Sequence, residues 1–145
     1  MLEAAAGAHE DVLALDIAGA YPDAPLERWV RTFVWRKAGV PHLRLEDAYR
    51  FSGKPVELVE RFITPYPPEF AGSGCVVLKS GGGRGLRIRY DGGLMEPETR
   101  TLAFAAHDGG TMMFHALDFK VRAPGSEGRL VFEFVFQSNH EGEEL

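Results

Sequence analysis

Apolar and polar residues alternate along most of this chain. In residues 42–51, HLRLEDAYRF, one face carries Leu43, Leu45, Asp47, Tyr49 and Phe51. The other face carries His42, Arg44, Glu46, Ala48 and Arg50. A period of two marks a half-buried strand, because successive side chains of extended backbone point to opposite sides. Residues 84–90, 112–121 and 130–136 repeat the pattern, the last with Leu130, Phe132, Phe134 and Phe136 on one face. Residues 28–37 do so too, and 11–17, 56–64, 74–79 and 99–105 are weaker runs of the same kind. Residues 1–9 form the one helical candidate, without a convincing apolar stripe. Between these runs lie clusters of Gly, Pro, Asp and Ser, among them YPDAP (21–25), TPYPPEFAGSG (64–74), SGGGRG (80–85) and APGSEG (123–128). Such clusters make tight turns.

About nine strands with short connections and no crossover helix predict an all-β fold, an antiparallel two-layer β-sandwich with little or no helix. It occupies 1–137 as a single domain, and the polar, acidic residues 138–145 form a fraying tail. In 28–37, Trp29, Phe33 and Trp35 share a face with Arg31, while Val30, Thr32 and Val34 share the other. Both faces are partly apolar, so this strand is expected to be central and covered on both sides. Arg31, lying among rings, is expected to pair with a carboxylate such as Asp47. A strand at 11–17, so near Met1, is what a domain would show if its first half had been removed.

Composition narrows the classes. The chain has 145 residues, 45% hydrophobic and 26% charged, which suits one globular domain able to bury a core without disulfides or metal. The net charge of −5 argues against general nucleic-acid binding. No apolar run is long enough to span a membrane, so no membrane partner is expected. The first residues lack a basic stretch followed by an apolar one, so no signal peptide is expected, and the default location is the cytoplasm. Cys75 is the only cysteine and reads as a small core residue.

Candidate chemistry is sparse. His9, His42, His107, His115 and His140 show no metal-ligand spacing, so no metal site and no cofactor is expected. His107-Asp108 reads as a turn and SGGGRG as a hairpin loop, since no helix follows to cradle a phosphate. HED (9–11) and EPE (96–98) read as solvated turns. No serine has a placed histidine partner, so no catalytic residue is assigned. The arginines say more. Arg28, Arg31, Arg36, Arg44, Arg50, Arg84, Arg87 and Arg89 would form a basic patch if their strands were neighbours, unless Glu46, Asp47, Glu57 and Glu60 neutralise it.

The stretch LALDIAGAYPDAPLERWVRTFVWRK resembles the heparinase II/III-like family of bacterial polysaccharide lyases. Asp16, the AYP of 20–22, Trp29-Val30-Arg31 and Arg36 carry the likeness. It continues through LRLEDAYRF (43–51), ERFITPYPPEFAGSGCVVL (60–78) and HALDFKVRAPGSEGRLVFEF (115–134). The resemblance implies a helical toroid followed by β-sandwich domains, acting on uronate-containing polysaccharides by β-elimination. In that chemistry a base removes the C5 proton and a Tyr or His protonates the leaving oxygen. This chain resembles only the later β region, so Tyr21, Tyr49, Tyr66 and Tyr90 are not equated with the catalytic tyrosine. By resemblance a periplasmic or secreted location is implied.

Two roles are thus expected. One is a non-catalytic accessory β-sandwich of such a lyase, partnered by a helical toroid on the same or a neighbouring chain. The other is a free-standing module for acidic polysaccharide, using Trp29, Arg31, Trp35 and Arg36 as its binding residues. An active lyase or metal enzyme has less support, because no paired base and acid is present.

Overall fold

The computed structural model describes residues 1–137, and the tail at 138–145 lies outside them. Eleven strands follow in order: β1 (Glu3–Ala6), β2 (Glu10–Asp16), β3 (Leu26–Arg36), β4 (His42–Phe51), β5 (Val59–Thr64), β6 (Pro68–Phe70), β7 (Cys75–Gly81), β8 (Arg84–Arg89), β9 (Met95–Ala105), β10 (Thr111–Val121) and β11 (Glu127–Gln137). One short 3-10 turn, Ala18–Ala20, joins β2 to β3. The period-two runs became strands as expected, and the fold is an all-β sandwich of two antiparallel sheets. The strand count is higher for two reasons. Residues 3–6, inside the helical candidate, pair with β2, and residues 68–70, inside a predicted turn, pair with β7. The acidic runs 9–11 and 96–98 also lie mainly in strands, at the start of β2 and in β9, rather than in turns.

The large sheet runs β1-β2-β3-β4-β11-β8-β7-β6, and the small one β5-β10-β9. Local hairpins build β1 to β4, β6 to β8, and β9 with β10. The chain changes sheet after β4, β5, β8 and β10, so β11 pairs with β4 on one side and β8 on the other. The β7–β8 connection bends sharply at Gly81, Gly82 and Gly83, all at positive φ, where a Cβ would be strained.

The core lies between the sheets. Phe132, Leu130, Leu45 and Ile88 from the large sheet meet Phe119, Leu117 and Met95 from the small one. Phe62 of β5 sits edge-on to Phe119, Phe132 and Phe134, with centroids 5.9, 5.1 and 5.4 Å away. Such contacts add about 0.5–1.5 kcal/mol each beyond area burial.

Eight strands cannot be roofed by three. β5 crosses the inner face of the large sheet with Glu60 at Arg31 and Phe62 over Phe132 and Phe134. On the far side of that crossing Phe33, Trp35 and Leu43 are only half-buried and Phe136 is 50% exposed. Nor is β3 covered on both sides: Arg28, Val30 and Thr32 line an open groove on the outer face beside Ala48, Arg50 and Gly128. Cys75 is half-buried rather than a core residue.

Candidate functional site

The register of β3 against β4 sets Arg31 directly opposite Asp47, and directly opposed residues share a face. That face is the inner one, since the neighbouring pairs Phe33–Leu45 and Trp29–Tyr49 also point inward. Arg31 donates to Asp47 through Nε at 2.8 Å and Nη2 at 2.7 Å, the side-on bidentate geometry that guanidinium favours. The expected Arg31–Asp47 pair is therefore present. Asp47 is 0% exposed.

The second carboxylate comes from the other sheet. Glu60 of β5, 7% exposed, accepts from Arg31 Nη2 at 2.6 Å. One cation thus serves two buried acids and ties the layers together. Burial, and after it the neighbouring Asp47, pushes the Glu60 carboxyl up to about 8 against the opposing pull of Arg31. Hydrogen bonding to Asp47 in turn raises Arg31 above its ordinary value. Glu60 therefore holds its proton to higher pH than an ordinary carboxyl does. Its position was readable in part, because Glu60 alternates with Phe62 and Thr64 on the inward row of β5.

Beside the cluster a pocket of about 380 Å³ opens between β3, the Ala18–Ala20 turn and β5, walled by Ile17, Tyr21, Trp29, Phe51 and Glu57. Trp29 is 8% exposed, stacked on Tyr49 at 5.3 Å and edge-on to Phe51 at 6.5 Å. Its indole N–H has no acceptor among the described residues. Leaving such a donor unpaired costs about 1–3 kcal/mol.

The four candidate binding residues are dispersed. Trp29 and Arg31 border this pocket. Trp35 stands six residues along the strand, ~20 Å away at about 3.3 Å per residue, against Phe136. Arg36 lies at the outer end of β3, 3.7 Å from Glu10. The wider arginine patch does not assemble either. β11 separates β8 from β4, and Glu46 engages Arg44 while Glu27 engages Arg50. On the outer face of the small sheet Arg61 grips Asp118 with two bonds of 2.7 and 2.8 Å, which holds that carboxyl below the usual range.

Asp108 accepts from the Gly110 backbone at 2.9 Å, so it serves its turn. Among the described residues no three His, Cys, Asp or Glu side chains gather as metal ligands. No described helix is long and apolar enough to cross a membrane.

The arrangement of an eight-stranded sheet under a three-stranded one has solved counterparts. The structure of heparan sulfate lyase HepC from Pedobacter heparinus superposes with a TM-score of 0.76 over 94% of this chain, at 13% identity. A HepC mutant gives a TM-score of 0.75 over the same share. Heparinase III gives 0.61 over 95%, at 14% identity. The fold is that of a heparinase-like domain. The match takes up 21% of each of those chains, so this chain spans about a fifth of their length. No protein-family model and no curated protein matches the chain.

Proposed function

We propose that this heparinase-like domain is an accessory, structural β-sandwich of a polysaccharide lyase acting on uronate-containing glycans, and that it packs against the catalytic part. The observation that carries this role is the unroofed half of the large sheet. Phe33, Trp35, Leu43 and Phe136 present an apolar surface on the inward face, the face that elsewhere in the molecule is core. An apolar groove of about 560 Å³, lined by Phe62, Ile63, Leu86, Phe134 and Phe136, continues it. Contiguous exposed apolar surface of this kind marks an interaction site. Its occupant is the catalytic part of the lyase, because the chain corresponds to only a fifth of the lyases that share its fold.

The alternative, a free-standing module for acidic polysaccharide, has less support. Its candidate arginines already bind carboxylates, Arg31 strongly and Arg36 at 3.7 Å, and Trp29 is spent on the core.

The test has two arms. The purified chain is incubated with heparin, heparan sulfate and alginate, and unsaturated uronate is followed by ultraviolet absorbance. The accessory role expects no product, and turnover would overturn it. The chain is also co-expressed with the helical toroid region of a heparinase II/III-like lyase. Co-purification that is lost in a Trp35→Asp/Phe136→Asp variant supports packing through this face. Co-purification indifferent to that variant sinks the assignment.

A further inference from the structure

The β9–β10 hairpin outruns the rest of the small sheet. β5 pairs with β10 only from His115 to Lys120, so Thr111–Phe114 and the facing Leu102–Ala105 form a two-stranded ribbon. Such a ribbon is marginally stable in water unless something packs on it. In-register pairs set Phe104 beside Met112 and Leu102 beside Phe114 on the outer face of the small sheet, with the Phe104 and Phe114 rings edge-on at 5.7 Å. Phe104 and Met112 are each 49% exposed. This surface belongs to the other sheet from Phe33, Trp35 and Phe136, so packing of a catalytic part on that face leaves it unused.

The backbone says what fits there. β9 is an edge strand of the small sheet. The Ala106 N–H donates to the Gly110 carbonyl, and the Arg122 N–H to the Leu94 carbonyl, both at 2.8 Å. Even-numbered positions of β9 therefore bond to β10, and odd-numbered ones turn their N–H and C=O to the free edge. The first half of that edge is blunted: Pro97 has no N–H to offer, and Glu96, Glu98 and Arg100 flank it with charge. The second half, Thr101–Ala105, has neither proline nor charge. It is also complementary to itself. An antiparallel copy related by a two-fold axis at Ala103 sets Ala103 against Ala103, Thr101 against Ala105, and Leu102 against Phe104. The edge-facing positions then exchange about six backbone hydrogen bonds. The same operation keeps the two outer apolar faces on one side, whereas an axis at Arg100 would oppose two guanidinium groups. We propose that the chain self-associates through β9, joining two small sheets into one across a two-fold axis at Ala103. The contact is smaller than a permanent interface, so the dimer is a weak, concentration-dependent one.

The test is sedimentation of the purified chain over a concentration series, where a monomer–dimer equilibrium is expected. Ala103→Pro removes an edge-facing N–H, as Pro97 already does in the same strand, and should raise the dissociation constant roughly tenfold or more. Ala103→Lys, at an exposed position, sets two charges against each other and should do the same with the backbone unchanged. Trp35→Asp/Phe136→Asp should dimerise like the parent. The register is read by crosslinking in a Cys75→Ser background. Ala103→Cys places two Cα atoms about 5.5 Å apart across the axis, within disulfide range, and should give an oxidised dimer, whereas Thr99→Cys should not. The proposal is overturned if the chain stays monomeric up to about 1 mM, if both Ala103 variants dimerise like the parent, if Trp35→Asp/Phe136→Asp abolishes the dimer, or if Thr99→Cys crosslinks as readily as Ala103→Cys.

Discussion

The two halves of the large sheet's inner face have similar sequences and different fates. Under β10 and β5, Leu130, Phe132, Leu45 and Ile88 are buried to within a few per cent. Beyond β5 the same apolar rows continue, with Phe33, Trp35 and Leu43 only half-buried and Phe136 half exposed. Alternation alone would treat Phe132 and Phe136 alike, since they sit four residues apart on one face of β11. The difference is the roof: Phe132 has Phe62 and Phe119 above it, whereas Phe136 has Trp35 at its side. The covered half holds the molecule together, and the open half is available to a partner.

The strongest way to sharpen this contrast is to empty the covered half. Phe132→Ala should cost about 3–5 kcal/mol in denaturant unfolding, because the surrounding rings cannot collapse into the space. Removing the clasp between the sheets comes next. Arg31→Ala leaves Asp47 and Glu60 buried without their cation and should cost about 3 kcal/mol or more. A loss much below 1 kcal/mol would mean that the layers do not depend on this cluster.

Crowding the covered half should cost less. A Cβ at Gly128 would lie 2.5 Å from Tyr49 Oη and 2.8 Å from its Cζ, and Tyr49 is held against Trp29. Gly128→Ala is therefore expected to lose about 1–3 kcal/mol, and a Gly128→Ala/Tyr49→Phe double variant should recover part of it.

The clasp also makes stability depend on pH. Glu60 keeps its proton in the folded protein up to about 8, while the unfolded chain releases it near the ordinary value of 4.5. The folded state binds the extra proton, so this contribution is complete below about 4.5, declines through the window up to about 8, and is flat above. The slope is at most about 1.4 kcal/mol per pH unit. Subtracting the unfolding profile of Glu60→Gln from that of the parent isolates the effect, and a difference flat across the window would remove it. Asp118 has the opposite sign, since Arg61 lowers its value and its contribution is lost only in strong acid.

The smallest effect on stability belongs to the open half. Phe136→Ser should change unfolding free energy by less than about 1 kcal/mol, because half of the side chain already faces water. A cost like that of Phe132→Ala would erase the distinction between the halves.

Local patterning settled much of this protein. Period-two runs located most strands, and β4 was read with its ends correct, because alternation survives in any half-buried sheet. The Arg31–Asp47 pair was legible too, since a lone charge among aromatic residues needs an opposite charge on the adjoining strand. The resemblance to the β region of the lyases was carried by short motifs and agrees with the fold that the chain adopts. Short strands were missed where the residues looked like something else: β1 is alanine-rich, and β6 sits in a proline-rich segment. What no local pattern could supply was the division of eleven strands into eight and three. That depends on β11 entering between β4 and β8, and on β5 leaving the large sheet to carry Glu60 back onto Arg31. Hydrogen bonds along a strand edge are indifferent to sequence, so only packing of the whole chain chooses the partner. That choice decides which phenylalanines become core and which remain a surface.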